Sequence, residues 1–298
     1  MNGWLITNAF LHSNKFSEIS LWLMEAAKKH GIDLIHKTND EVLITLDEEF
    51  ENTKKLHDKN KPDFVLFWDK DVRLAHYLEL QGYNVFNNSK AISLCDDKSL
   101  THMTLQSEGI SMPRTIIAPM TFANIGFTNL EFLDSVEHTL GYPLIVKECF
   151  GSFGMQVYLV NNKEELRSRV EEIGIKPMLF QEFIKHSSGK DIRLQVVGNQ
   201  VVATMYRYSE NGDFRANITS GGRMKPYEPT KEQTELAISC CKIMGLDFAG
   251  VDILFGENDK PIVCEVNSNA HFKNIYDCTE VNVADHIMEY IIKKICIG

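Results

Sequence analysis

Three oxygen-bearing side chains near the C-terminus have the types and the spacing of a metal site. Asp252 lies in the run Val251-Asp252-Ile253-Leu254, and Glu265 and Asn267 lie in the run Val263-Cys264-Glu265-Val266-Asn267. Both runs alternate apolar and polar residues, which predicts two β-strands. The short polar stretch between the runs predicts a hairpin turn.

The position of that turn decides which residues face each other. A turn centred on residues 258 and 259 places Asp252 opposite Glu265, and Asn267 then points to the same face. Facing Cβ atoms lie about 5 Å apart, and two carboxylates about 4 Å apart repel by roughly 4 kcal/mol at an effective dielectric near 20. Two carboxylates and an amide oxygen suit magnesium, which would offset this repulsion. The alternative is two unrelated acidic residues whose register differs by one.

Several charged residues upstream could bind a phosphorylated nucleotide. Lys147 ends an apolar strand pattern and precedes a turn with two glycines, Gly151-Ser152-Phe153-Gly154. Such a turn lets backbone amides approach phosphate oxygens, and the ammonium group adds a positive charge. The alternative is a structural lysine at the end of a strand.

Two acidic and two basic residues extend this group. Glu182 and Asp191 could bind the sugar and the amide edge of a nucleotide, although solvated acids at strand ends would look the same. Arg207 ends another apolar run, and Arg215 follows a polar turn. Guanidinium groups bind two phosphoryl oxygens at once, but ordinary surface arginines are the alternative.

The first part of the chain is predicted to form a parallel sheet. Strand patterns at residues 4–7, 32–35, 64–68 and 83–86 alternate with helical patterns, the first of which Ser17 can cap. This alternation predicts a small parallel α/β domain over residues 1–94.

The remainder predicts helices and hairpins. A helix is expected from Asp97 to Glu108, and Val197-Gly198-Asn199-Gln200 has the pattern of a two-residue hairpin turn. Thr230-Lys231-Glu232-Gln233 is a capping box that opens a helix ending at Gly245. A last helix is expected from Val283 to Ile295.

Composition narrows the class of protein. A chain of 298 residues with 44% hydrophobic residues can form two or three domains, and no apolar run reaches the length of a membrane span. The N-terminus lacks the pattern of a secretory signal, and none of the seven cysteines forms Cys-x-x-Cys, so a cytoplasmic location is expected. The net charge of −10 argues against a general nucleic-acid binder. The sequence contains no P-loop, dinucleotide fingerprint, nucleophile elbow or zinc helix.

In this order, the motifs resemble those of the ATP-grasp ligases, and most closely the RimK-like branch. The resemblance covers nearly the whole chain. The resemblance includes Asp96-Asp97-Lys98, Val146-Lys147, Gln181-Glu182-Phe183-Ile184 and Glu265-Val266-Asn267. The strongest matches are Asp191-Ile192-Arg193, Val196-Val197-Gly198, Gly212-Asp213-Phe214-Arg215-Ala216-Asn217 and Ala249-Gly250-Val251-Asp252-Ile253-Leu254.

The resemblance implies an α/β fold of the ATP-grasp type. An N-terminal parallel α/β domain (1–94) would precede two α+β subdomains that clamp ATP: a small one with a glycine hairpin lid (95–180) and a C-terminal one with the metal site (181–298). It also implies roles for individual residues. ATP would contact Lys98, Lys147, Glu182, Phe183, Asp191, Arg215, Ala216 and Asn217; magnesium would bind Asp252, Glu265 and Asn267; and Arg207 would be catalytic, facing an acyl-phosphate.

The implied activity is that of an ATP- and magnesium-dependent carboxylate–amine ligase that works through an acyl-phosphate, with two magnesium ions and manganese as a substitute. The partners would be an amino acid and a carboxylate-bearing acceptor, which could be a small molecule, a peptide or a protein tail, without nucleic acid or membrane. A homo-oligomer is left open. The alternatives are an inactive ATP-binding regulatory protein and a kinase that stops after phosphoryl transfer.

Two segments depart from the family pattern, and both are expected to border the acceptor. They are Thr219-Ser220-Gly221-Gly222 and Ser268-Asn269-Ala270-His271-Phe272-Lys273. We therefore expect a substrate pair other than glutamate and a ribosomal-protein tail, with Lys273 and His271 meeting a substrate carboxylate.

Overall fold

The N-terminal part of the chain forms a parallel sheet, as expected. The computed structural model describes residues 1–12, 14–46, 61–151, 154–218 and 221–297. Four strands pair in the order β2-β1-β3-β4, namely β1 (Asn2–Thr7), β2 (Asp33–Thr38), β3 (Phe64–Phe67) and β4 (Val85–Phe86). All four residues of β3 are buried, which explains its unbroken apolar sequence. The helices of this part are α1 (Asn14–Lys29), α2 (Val72–Leu80) and α3 (Ser89–Asp96).

The middle of the chain forms a second, antiparallel sheet in the order β5-β8-β6-β7. Its strands are β5 (Thr115–Ile117), β6 (Leu144–Glu148), β7 (Val157–Val160) and β8 (Met178–Glu182). Its helices are α4 (Lys98–Ser107), α5 (Phe132–Leu140) and α6 (Lys163–Ile173). Asp97 caps α4 by accepting a hydrogen bond from the Ser99 amide, so Lys98 is the first residue of that helix.

The third sheet is also antiparallel and has the order β11-β10-β9-β12-β13. Its strands are β9 (Lys190–Val197), β10 (Gln200–Tyr208), β11 (Arg223–Pro226), β12 (Phe248–Phe255) and β13 (Pro261–Asn267). Its helices are α7 (Lys231–Met244), α8 (Lys273–Thr279) and α9 (Val283–Ile297). The turn at Gly198-Asn199 and the reciprocal capping box between Thr230 and Gln233 are both confirmed.

A buried asparagine joins the first sheet to the third. Asn87 is fully buried after β4; its amide nitrogen donates to the carbonyl groups of Phe248 and Ser268, at 2.9 and 3.1 Å, and its oxygen accepts from the Asp247 amide at 2.7 Å. The two parts also share an apolar core, since α9 packs against α1. Within the described residues, no helix has both the length and the apolar character needed to cross a membrane.

The fold class predicted from the sequence is confirmed, but the predicted start of the first helix is wrong. Helix α1 begins at Asn14, so Ser17 lies inside the helix and does not cap it. The domain boundaries stay a prediction. Leu105 of α4 packs in one core cluster with strands β9, β12 and β13, on the other side of the predicted boundary at residue 180.

Candidate active site

All twelve residues expected to bind nucleotide, bind metal or act in catalysis line one cavity of about 570 Å³. Strands β6 and β8 of the second sheet contribute to its lining, as do four strands of the third sheet. Residues that follow β3 line the same cavity. The three sheets therefore meet at a single concave site, which is the usual form of a small-molecule site.

The hairpin of β12 and β13 carries the acidic pair in the predicted register. Asp252 pairs with Glu265, and Gly250 pairs with Asn267. The turn is centred on residue 258 and not between residues 258 and 259, because Phe255 pairs with Pro261, and a β-bulge between Asp252 and Ile253 restores the Asp252–Glu265 pair. In such a bulge two residues oppose one. Cys264 and Glu265 accordingly both line the cavity with Asp252.

Two arginines hold the carboxylate of Asp252. Arg193 pairs with Asp252 across β9 and β12, and its Nε and Nη2 atoms donate to Oδ1 and Oδ2 at 2.7 and 2.6 Å. Nη2 of Arg207 lies 3.0 Å from Oδ2 of Asp252, while Nε and Nη2 of Arg207 donate to Oδ1 and Oδ2 of Asp191 at 2.6 and 2.8 Å. Burial raises the pKa of Asp252, but the two arginines outweigh this effect and lower the pKa to about 2. Asp252 is therefore ionised at neutral pH.

Two buried lysines face the acidic hairpin from the second sheet and α4. Lys98 is 9% exposed and Lys147 is 7% exposed. The Lys98 ammonium group donates to the Gly151 carbonyl at 3.1 Å and lies 4.0 Å from Glu265. The Lys147 ammonium group lies 3.8 Å from the sulfur of Cys264, and no carboxylate in the described parts of the chain lies within ion-pair distance of it. Buried ammonium groups with so little counter-charge make a site for an anion.

His102 lies close to both lysines. Its Nε2 atom is 3.2 Å from the amide nitrogen of Gln181, which fits a neutral ring with Nε2 as the acceptor. Burial lowers the pKa of His102 to about 3, and the charges of Lys147 and Lys98 act in the same direction. His102 is thus neutral, and Lys98 and Lys147 carry the positive charge on this side of the cavity.

The remaining residues that were expected to bind nucleotide lie at the end of β8 and in the loop between β10 and β11. Glu182 ends β8 and accepts a hydrogen bond from the Arg114 amide at 2.8 Å, and Phe183 packs edge-to-face on Phe214. Arg215 binds Asp213 through both carboxylate oxygens and donates to the Gly154 carbonyl at 3.0 Å. Ala216 is buried, and the Asn217 side chain lies so close to Gly154 that a Cβ atom there would stand 3.0 Å from its oxygen.

The donor set fits magnesium. In the described residues, no three His, Cys, Asp or Glu side chains are grouped so that they could hold a metal, so a cation here depends on the amide oxygen of Asn267 beside two carboxylates. The Asn267 amide nitrogen is buried without a hydrogen-bond partner in the described structure. A bound oxygen-rich ligand would satisfy this nitrogen and leave the amide oxygen for the metal.

Three residues of the site had no assigned role in the sequence analysis. Arg193 stands two residues after Asp191 on one strand face, and this spacing was the available signal. Cys264 lines the cavity at the bulge. His102 lies behind the lining, on the buried face of α4 beside Gln181, and neither residue has a signal in the sequence pattern. The expectation for Lys273 is wrong: it pairs with Asp277 on α8 and is absent from the cavity lining, whereas His271 does line the cavity. Ser152, Phe153, Thr219 and Ser220 lie outside the described residues.

The fold and the cavity together define an ATP-grasp ligase. The chain superposes on a D-alanine–D-alanine ligase from Bacillus anthracis with a TM-score of 0.72 at 19% identity, covering 99% of this chain and 97% of that one. Residues 95–291 match the RimK-like ATP-grasp domain. The chain is 33% identical over 297 residues to a probable alpha-L-glutamate ligase of Vibrio vulnificus, covering 95% of this chain and 93% of that protein. It is also 33% identical over 223 residues to the human N-acetylaspartylglutamate synthase A, covering 74% of this chain and 56% of that protein. The protein belongs to the RimK-like ATP-grasp family.

Proposed function

We propose that this ATP-grasp ligase joins a carboxylate to an amine in a reaction that depends on magnesium and passes through an acyl-phosphate. The observation that carries the proposal is the pairing of two walls across one cavity. Lys98 and Lys147 present buried ammonium groups, and Asp252, Glu265 and Asn267 present oxygen ligands opposite them. A polyphosphate with a divalent cation matches both walls at once.

In the first step, a carboxylate oxygen of one substrate attacks the γ-phosphorus of ATP, and the bond to the β–γ bridging oxygen breaks. Lys98 and Lys147 offset the negative charge of the phosphates and orient them. Asp252, Glu265 and Asn267 would hold the magnesium, which supplies Lewis-acid stabilisation of the transferring group. Arg207 is buried on β10 of the third sheet and meets the phosphoryl oxygens of the acyl-phosphate.

In the second step, the amine of the other substrate attacks the activated carbonyl carbon. The carbon–oxygen bond to the phosphate breaks, so the products are an amide, inorganic phosphate and a proton. Neither step needs a nucleophile from the protein, and the buried walls of the cavity exclude the water that would hydrolyse the acyl-phosphate. Glu182, Phe183 and Asp191 hold the adenosine, and Arg215, Ala216 and Asn217 lie against the nucleotide.

The finer assignments belong to the same proposal. Two magnesium ions bind, and manganese substitutes for them. The partners are an amino acid and a carboxylate-bearing acceptor, and the protein acts in the cytoplasm. The alternative functions are an inactive ATP-binding regulatory protein and a kinase that stops after phosphoryl transfer. The ligase differs from both because it needs an amine substrate.

ADP release in the presence of ATP and magnesium tests the proposal. Pairs of amino acids, and amino acids with short peptides, are screened for ADP, and the mixtures are analysed by mass spectrometry for a product one water lighter than the sum of its parts. Glu265→Gln, which alters a proposed metal ligand, serves as the negative control and should release no ADP. Amine-dependent ADP release with an amide product supports the ligase. ADP release that needs only the carboxylate substrate and continues without amide formation would point to the kinase.

A further inference from the structure

Residues after β3 and after β13 form a second end of the cavity, to which none of the proposed nucleotide and metal ligands belongs. Besides the residues described above, the cavity is lined by Asn8, Trp68, Asp69 and Asn269. Trp68 and Asp69 follow β3 directly, so the N-terminal domain supplies this end. Asn269 lies two residues after Asn267, so its Cα atom is at most about 7 Å from that of Asn267.

Asp69 is a buried carboxylate without a cation. It is 6% exposed, and it accepts hydrogen bonds from the Lys70 amide at 2.7 Å and from the Asn8 amide nitrogen at 3.2 and 3.3 Å. The Lys70 ammonium group is occupied elsewhere, because it lies 2.6 Å from Asp96. No Lys, Arg or His side chain within the described ranges lies at ion-pair distance from Asp69. A carboxylate offers about four lone-pair sites, and neutral donors take only part of them here.

Two further groups at this end suit a positively charged ligand. The oxygen of the Asn269 side chain is buried and has no hydrogen-bond donor among the described residues, while its nitrogen donates to the Asp69 carbonyl at 2.7 Å. The ring of Trp68 lines the same space and is fixed by stacking on Phe248, with centroids 5.5 Å apart. An aromatic face beside a carboxylate and an amide oxygen is a site for an ammonium group.

We propose that Asp69, Asn269 and Trp68 bind the ammonium group of an amino-acid substrate, which reaches from this end of the cavity toward the metal end. This proposal rests on the ligase function given above and names the charge of the substrate at that site. Charge complementarity excludes a second carboxylate here, since Asp69 would repel it in a buried setting. The substrate held at this end is therefore an amino acid or a peptide with a free amine, and the extra carboxylate of glutamate does not occupy this place.

Ligand binding without turnover tests this site. The protein is saturated with magnesium and ADP, and the twenty L-amino acids, their N-acetyl derivatives and their α-carboxamides are titrated by ligand-observed NMR. For at least one amino acid, N-acetylation should weaken binding about tenfold or more, as expected when one charge-assisted hydrogen bond is lost. Conversion to the carboxamide should preserve the contact with Asp69.

Two variants distinguish the contact made by Asp69 from the effect of removing any negative charge from this part of the chain. Asp69→Asn keeps the shape of the side chain and should weaken the same amino acid about tenfold, with ADP binding unchanged. Asp63→Asn, an exposed acid before the opposite end of β3, should change neither affinity. An N-acetyl derivative that binds as well as its parent would overturn the proposal, and so would wild-type affinity in Asp69→Asn or no amino acid binding at all. ATP turnover is measured separately, so a failure here is distinguishable from a failure of the ligase function.

Discussion

Asp252 has two roles that compete for the same oxygens. It is a proposed metal ligand, and it is also the anion that Arg193 and Arg207 share inside the third sheet. Glu265 differs from it, because its side chain is 31% exposed and its nearest cation is Lys98 at 4.0 Å. The arginines remove most of the repulsion that two facing carboxylates would otherwise feel. The loss of either acid should therefore prevent magnesium-dependent turnover, but only the loss of Asp252 should affect folding.

Asp252→Ala should lower the free energy of unfolding by about 3–5 kcal/mol, because it leaves two buried guanidinium groups with one counterion fewer. Glu265→Gln should leave the free energy of unfolding close to that of the wild type and abolish ADP release. Urea unfolding followed by circular dichroism measures the first effect. Asp134→Ala, which removes an exposed ion pair with Lys163, is the control and should change little. Equal stability losses in Asp252→Ala and Asp134→Ala would contradict the role of the buried arginines.

Lys147 and Arg207 should differ in the step that they affect. Lys147→Ala should weaken ATP binding, because a buried phosphate loses its charge partner. Arg207→Lys keeps a charge between Asp191 and Asp252 but loses the bidentate geometry, so it should lower kcat with ATP affinity nearly unchanged. Fluorescence titration with an ATP analogue and steady-state kinetics measure the two quantities. The division of roles is wrong if both variants lose ATP affinity by the same factor.

Secondary-structure elements were predictable where neighbouring residues in the sequence carry the signal. The capping box at Thr230, the Gly198-Asn199 turn and the alternating runs around Asp252 and Glu265 all form as their sequences indicate. The bulge at Cys264 could not be read in advance, because it depends on how β12 and β13 pair beyond the turn. Arg193 was missed for a related reason: its contact with Asp252 exists only once β9 lies beside β12, and no local pattern encodes that order.

Thr230→Ala should destabilise the protein by about 1 kcal/mol, since α7 loses the hydroxyl group that accepts a hydrogen bond from the Gln233 amide. Thr230→Ser keeps a hydroxyl group at the same place and should restore most of the stability. Thermal and urea unfolding of both variants provide the comparison. If the serine variant were as unstable as the alanine variant, the effect would come from the lost methyl group and not from the cap.

At the scale of the whole molecule, the site exists because three sheets converge. The twelve residues expected from the sequence line one cavity, yet most of them are far apart in the chain. Asn87 is buried between the first and third sheets, and its hydrogen bonds to residues 247, 248 and 268 join segments that are far apart in the chain. Because no local pattern encodes this docking of the two sheets, the second end of the cavity was not predicted. The contribution of Asp69 depends on this docking and has no sequence signature.

The buried, neutral His102 makes global stability depend on pH. Its pKa is about 3 in the folded protein, so the unfolded chain binds one more proton than the folded one between about pH 6.5 and pH 3. Stability is thus lost as the pH falls through this window, by about 2 kcal/mol at pH 5 from this residue alone. His102→Gln should lose less stability than the wild type between pH 7.5 and pH 5, as measured by urea unfolding. His138→Gln, at an exposed histidine of α5, should behave like the wild type, and parallel losses in all three proteins would exclude His102 as the cause.

Isotope transfer tests the acyl-phosphate most directly. A substrate labelled with ¹⁸O in its carboxylate is incubated with the protein, ATP, magnesium and the amine found in the screen, and the inorganic phosphate is analysed by mass spectrometry. A carboxylate–amine ligase transfers one carboxylate oxygen to phosphate in each turnover, so phosphate should carry one ¹⁸O for every amide formed. Amide formation with unlabelled phosphate would contradict the account.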